Sequence, residues 1–165
     1  EKIIKSLKSN SGIYLVPAFT GLGAPYWAVN ARGVLSGLTR DTGPKEIVRA
    51  TVESVAYQTH DLFEAMKNDG LRPKIIKVDG GMVKNNWFSQ FLADVVDIKV
   101  LRPKVDETTA LGAAFMAGLQ IGVYKSLKDI SNNWQVDRTF LPRMKSSNRK
   151  NLIKGWDKAI KKTLS

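Results

Sequence analysis

The sequence predicts an α/β fold, with strands alternating with helices around one core. Three observations carry this expectation. Short β-branched and apolar runs recur between longer stretches of helical periodicity. Gly, Pro, Asn and Asp punctuate the joins between them. The length, 165 residues with 43% apolar side chains, suits one domain with a real core.

The elements run in order along the chain. Residues 13–19, IYLVPAF, form a buried strand that ends near Pro17. Residues 20–33, TGLGAPYWAVNARG, are rich in turn formers and make a loop. Residues 34–38, VLSGL, alternate like a short strand. Thr42-Gly43-Pro44 then starts a helix, with Pro in the first turn and Glu46 near its positive end. It runs to about Asn68, where Asp69-Gly70 stops it. Along it Val48, Val52, Val55, Thr59, Leu62 and Met66 give one apolar stripe, the expected core face. A strand at 75–79, a helix at 84–95 and a strand at 98–101 come next. Residues 107–122, ETTALGAAFMAGLQIG, read as a helix capped by Thr, its small side chains permitting close packing. Residues 125–145 read as irregular. Leu152, Trp156, Ala159 or Ile160, and Thr163 mark a final amphipathic helix.

Composition excludes several classes of function. No apolar run approaches a membrane span, and no signal-peptide pattern opens the chain. The first residues are Glu-Lys-Ile-Ile, without Met, which leads us to expect a piece of a longer polypeptide. Zero cysteines remove disulfides and thiolate metal sites, and fit a reducing compartment. A single histidine, His60, argues against a histidine zinc site or a Ser-His-Asp triad. The net charge of +11 is concentrated from Arg138 onward, where nine Lys or Arg face one acid, Asp157. Phosphate neutralisation on nucleic acid is one reading; a solvated helix face is the other, and the one expected.

The stretch KVDGGMVKNN at 77–86 draws the chemistry. An apolar run ends on Asp79-Gly80-Gly81, and Asn85 stands in the first turn of the expected helix. Glycine leaves the main chain open to a ligand and allows positive φ. A helix starting there offers N–H groups and a positive dipole end, which suit phosphate, with the Asn85 amide turned toward the same ligand. A plain strand-to-helix turn stands as the alternative. The sequence holds neither a P-loop nor a GxGxxG fingerprint. Elsewhere, Tyr26-Trp27 either line a pocket or pack their loop; packing is expected. Arg32 either holds a phosphate or fixes the loop; the latter is expected. Asp106 and Glu107 precede a helix, where a carboxylate is favourable; a role as general base is open but not required. His60 is expected to be partly exposed. Glu53 needs a partner if it faces inward.

Four segments together carry a resemblance: PAFTGLGAPYWAVNARG, GLTRDTGPKEIVRATVESVAYQTHDLFEAM, VDGGMVKNNWFSQFLADV and RPKVDETTALGAAFMAGLQIGVY. They closely resemble the C-terminal half of the FGGY carbohydrate kinases, on the glycerol kinase branch. Gly33-Val-Leu-Ser-Gly37-Leu38, seven further residues and Glu46-Ile47-Val-Arg49-Ala50 fit the second signature of that family. The AFTGLGAPYW loop is the most specific motif, separating this branch from sugar kinases such as the xylulokinases. The likeness covers nearly the whole chain, more loosely after about residue 125.

The resemblance implies an actin-like, ribonuclease H-like fold with a mixed sheet flanked by helices. It implies that residues 1–165 are the C-terminal nucleotide-binding lobe, with Gly80, Gly81 and Asn85 lining the ATP site. The implied reaction moves the γ-phosphoryl group of ATP to a glycerol hydroxyl, assisted by Mg²⁺. Glycerol, the catalytic aspartate and the magnesium carboxylates belong to the N-terminal lobe, so no catalytic or metal residue is expected here. The chain alone is expected to bind ATP or ADP weakly and to transfer no phosphate. A cytoplasmic homo-oligomer is implied for the parent, with no membrane partner and no nucleic acid. Three departures stand out: Trp27-Ala28-Val29 where the family commonly has Trp-Asp-Pro, His60 where Arg is usual, and RMKSSNRK at 143–150 without the usual carboxylates. Alternatives are another FGGY sugar kinase, a non-catalytic actin-like module, and a functionless remnant.

Overall fold

A computed structural model describes residues 1–105 and 107–165; the Asp106 expectation therefore lies outside the described residues. The architecture is α/β, as expected. A short helix α1 (Lys2–Lys5) leads into β1 (Tyr14–Val16), which pairs antiparallel with β2 (Val34–Ser36). Helix α2 (Pro44–Asn68) comes next, then β3 (Ile75–Lys77), a 3-10 turn (Gly81–Lys84), α3 (Asn86–Val96) and β4 (Lys99–Pro103). Helix α4 (Thr108–Gln120), α5 (Leu127–Asn132), β5 (Val136–Phe140) and α6 (Ser146–Leu164) complete the chain. The second sheet is mixed: β3 runs parallel to β4, and β4 antiparallel to β5. Among the described residues no helix is long and apolar enough to cross a membrane.

Three segments depart from expectation. Residues 125–145 are not irregular: they hold α5 and β5. Strand β5 is exposed at every position but Phe140, so burial patterning gives no cue, and the ladder to β4 holds it. Helix α4 is not tightly packed. Gly118 is its one buried residue, against the ring of Tyr124 in the turn beyond it, and Met116 is half exposed. Small side chains permit close approach without supplying the element that approaches. Its N-cap is Glu107, with no side-chain cap bond; Thr108, expected to cap, bonds Asp79 instead.

The third departure is the face that α2 buries. Pro44 starts this helix, and Glu46 Oε2 accepts from the Gly43 N–H at 2.9 Å, as the sequence suggests. Yet Val48, Leu62 and Met66 are exposed, and Val52 and Val55 only half buried. The buried line is Arg49, Glu53, Tyr57 and Asp61, stepping by four, with Ala50, Ser54 and Ala56 beside it. Polar side chains occupy this face because they satisfy one another. Arg49 Nε donates to Glu53 Oε1 at 2.7 Å, and the Tyr57 hydroxyl donates to Glu53 Oε2 at 2.9 Å. Arg49 Nη1 also donates to the Leu7 carbonyl, tying α2 to the segment after α1.

Around that line the core assembles. Helix α3 is buried on almost every side, through Phe88, Phe91, Leu92, Ala93, Val95 and Val96. Tyr57 packs between Phe91, edge-on at 5.7 Å, and Trp156 of α6, stacked at 5.3 Å. Helix α6 buries Trp156, Ala159, Ile160 and Thr163, the stripe read from the sequence. It approaches β1 so closely that a methyl group on Gly155 would overlap the Tyr14 hydroxyl. Arg149 secures the other end, donating to the Asp94 carbonyl and to Asp97 Oδ1 at the end of α3.

Candidate functional site

The chain leaves β3 at Lys77 and turns at Asp79-Gly80-Gly81. Gly80 has φ +85°, a conformation that favours glycine. Both glycines are exposed, and a methyl group on either would meet nothing within 4 Å. The main chain is therefore bare at this corner, as the sequence suggests. No described residue accepts a hydrogen bond from the N–H of Gly81 or Met82.

Beyond the corner the chain departs from expectation. A single 3-10 turn, Gly81–Lys84, stands before α3, so Asn85 is not in the first turn of a helix but caps one. Its Oδ1 accepts from the N–H of Trp87 at 3.0 Å and of Phe88 at 3.2 Å. These orphan donors of α3 are thus satisfied by the chain itself and are withdrawn from any ligand. The amide nitrogen of Asn85 takes no part in that pair of bonds. Two neighbours fix the corner. The hydroxyl of Thr108, the first residue of α4, donates to Asp79 Oδ2. Arg102 of β4 reaches the other end of the 3-10 turn, donating from Nη1 to the Val83 carbonyl at 2.9 Å. Thr108 carries a sequence signal only as a helix cap and Arg102 carries none; both act here through contacts distant along the chain.

The other candidates fall into place around α2. The Tyr26 hydroxyl donates to Asp61 Oδ2 at 2.8 Å, and Trp156 Nε1 donates to the same oxygen at 2.8 Å. Burial and that carboxylate push the Tyr26 phenol above its ordinary range. Tyr26 thus packs its loop, as expected, whereas Trp27 does not: it is 75% exposed, at φ +52°. Arg32 fixes the loop through carbonyls rather than a carboxylate, donating to those of Val29 and Ala31. His60 is half buried, with Asp61 Oδ1 at 3.6 Å and Glu64 Oε1 at 3.7 Å. Burial raises the Asp157 carboxyl, and nearby Asp61 raises it further. Glu53 faces inward and has its partners, Arg49 and Tyr57. Burial pushes its carboxyl up, opposed by Arg49 first and then by Tyr57.

Two grooves lie away from the glycine corner. One, of about 1000 Å³, runs between the α1 segment, α3 and the start of α6, past Arg49, Trp87 and Arg143. The other, of about 680 Å³, runs between the Tyr26 loop, α2 and α6 past His60 and Asp157. Neither of these two grooves includes Gly80, Gly81 or Asn85.

Residues 3–121 match the family model described as the C-terminal domain of the FGGY family of carbohydrate kinases. Glycerol kinase 1 of Pseudomonas aeruginosa is 55% identical over 94% of the chain and 32% of its own length. Glycerol kinase of Ectopseudomonas mendocina is 54% identical over 100% of the chain and 34% of its own length. The chain thus spans about a third of these relatives. Among solved structures, Plasmodium falciparum glycerol kinase with ADP superposes with TM-score 0.86 at 35% identity, over 99% of this chain and 33% of that one. A xylulose kinase from Lactobacillus acidophilus shares the fold, with TM-score 0.79 at 24% identity over 97% of this chain and 32% of that one.

Proposed function

The chain belongs to the FGGY family of carbohydrate kinases, with their actin-like fold, and from that premise we propose that residues 1–165 are the nucleotide-holding C-terminal lobe of a glycerol kinase. The parent enzyme moves the γ-phosphoryl group of ATP to a glycerol hydroxyl. This chain contributes the surface on which the polyphosphate rests; glycerol and the catalytic base are held outside it. One observation carries the reading: at Gly80-Gly81 the main chain turns with positive φ, exposed, with space where any other side chain would stand.

Phosphoryl transfer of this kind depends on placing the nucleotide and stabilising charge, with little covalent work for the protein. The N–H groups of Gly81 and Met82 have no acceptor among the described residues and suit phosphate oxygens. Asn85 shapes the corner by terminating the 3-10 turn and capping α3, and its amide nitrogen remains for the nucleotide. When Mg²⁺ is bound to the nucleotide it neutralises charge on the phosphates. Among the described residues no group of three or more His, Asp or Glu fits a metal ion.

The test is an ADP titration of the chain followed through its backbone amide resonances. The signals of Gly80, Gly81, Met82 and Asn85 are expected to shift, and Gly81→Val is expected to abolish the shifts while the fold persists. A glycerol phosphorylation assay on the chain alone is expected to show no turnover. Shifts confined to either groove, or clear turnover by the isolated chain, would overturn the assignment.

A further inference from the structure

We infer that Arg102 is a positioning residue for the nucleotide: its guanidinium holds the 3-10 turn from its carbonyl end and thereby fixes where Gly80 and Gly81 present their main chain. The inference rests on the reading of that corner given above.

The turn has little to hold itself in place. A 3-10 segment of four residues has few internal bonds, of poor geometry. Its leading end is two glycines with no side chain to pack. Thr108 holds Asp79 just before the glycines, and the rest of the anchorage comes from the trailing end. There the buried Val83 offers its carbonyl to two donors, Ser89 Oγ at 3.1 Å and Arg102 Nη1 at 2.9 Å. The same Nη1 reaches the Lys84 carbonyl at 3.4 Å and Asn86 Oδ1 at 3.0 Å, so one nitrogen gathers the last turn residues and the first residue of α3.

The guanidinium is itself held. Asp137 Oδ2, on β5, accepts from Nε at 2.8 Å and lies 2.7 Å from Nη2. The Phe140 ring lies 5.5 Å from its central carbon, and the side chain is 14% exposed. Carboxylate and ring together leave Nη1 one direction, toward the turn. A planar fork performs this task and a lysine ammonium does not, because one edge binds the carboxylate while the far nitrogen addresses the carbonyls. A preorganised corner binds its ligand without a cost of ordering on each encounter.

The experiment measures ADP affinity and thermal midpoint on the 165-residue chain and its variants. Arg102→Met keeps the apolar stem and loses every donor. Its ADP affinity is expected to fall about tenfold, the loss of a charged hydrogen-bond set acting through the turn. Arg102→Lys is expected to recover only part of that loss. Arg149→Met is the control: it removes a similar clamp, from α6 onto Asp94 and Asp97, away from the corner. It is expected to lower the midpoint comparably and leave ADP affinity unchanged. Amide hydrogen exchange at Val83 and Asn85, whose N–H groups close the 3-10 turn onto the Gly80 and Met82 carbonyls, is expected to rise in Arg102→Met alone. If Arg102→Met binds ADP as the unmodified chain does, or if Arg149→Met loses as much affinity, the positioning role falls and the corner assignment stands. If the unmodified chain binds no ADP, the corner assignment itself falls and the inference with it.

Discussion

Replacing Arg49 with methionine tests whether the buried line of α2 is held together by charge. The methionine keeps most of the apolar stem, so the change removes the guanidinium with little loss of volume. Glu53 is then buried with Tyr57 as its remaining close donor. Removing one member of a buried ion pair costs about 3–5 kcal/mol, because the other charge stays desolvated. The guanidinium also lies 5.1 Å from the Trp87 ring, a contact that contributes roughly a further 0.5–1 kcal/mol. Set against a total of about 5–15 kcal/mol for an ordinary domain, the loss is large.

Its pH dependence has a definite sign. Burial raises the Glu53 carboxyl above its unfolded value, and Arg49 is the main influence holding it down. A raised folded value means that the native chain binds the proton more tightly than the unfolded chain. The associated stability is present below the unfolded value and is lost as pH rises through the folded one. Without Arg49 the folded value rises further, so the substitution costs more at about pH 8 than at about pH 5. Urea unfolding of both chains at the two pH values measures the difference. A cost below about 1 kcal/mol, or the same cost at both pH values, would refute the account, since either leaves no uncompensated carboxylate to explain.

Two further substitutions probe the scaffold of the site. Asn85→Ala removes the acceptor of two α3 N–H groups and is expected to cost about 0.5–2 kcal/mol in urea unfolding, with weaker ADP shifts at Gly81. An Asn85→Asp variant that fails to retain the stability would contradict the capping role. Gly155→Ala drives a methyl group into the Tyr14 hydroxyl and is expected to cost roughly 1–3 kcal/mol or more, as α6 is pushed off β1. A Tyr14→Phe background is expected to relieve part of that cost; full additivity of the two changes would speak against the contact.

The sequence discloses most about the features that depend on local backbone. The bare corner at Gly80-Gly81 is readable because glycine has no side chain with which to cover it. The start of α2 is readable because Pro44 and Glu46 act within one turn. Features that depend on distant partners stay hidden. The stripe Val48 to Met66 points to the wrong face of α2, because periodicity registers apolar residues and not whether a polar line has found its complement. The expected place of Asn85 is off by one 3-10 turn, since the residues GMVK distinguish poorly between that turn and the opening of an α-helix. Strand β5 and the clamp by Arg102 escape for the same reason: each is defined by what lies across the sheet.

One oxygen, Asp61 Oδ2, receives both the phenol of Tyr26 and the indole of Trp156. If the Tyr26 loop lifts away, that oxygen loses a donor and the indole is left with an altered acceptor. The seating of the last helix and the posture of a loop near the other end of the chain are thus mechanically linked through a shared atom. With Trp27, Trp87 and Trp134 replaced by phenylalanine, the emission of the buried Trp156 is expected to shift when that early surface segment is displaced.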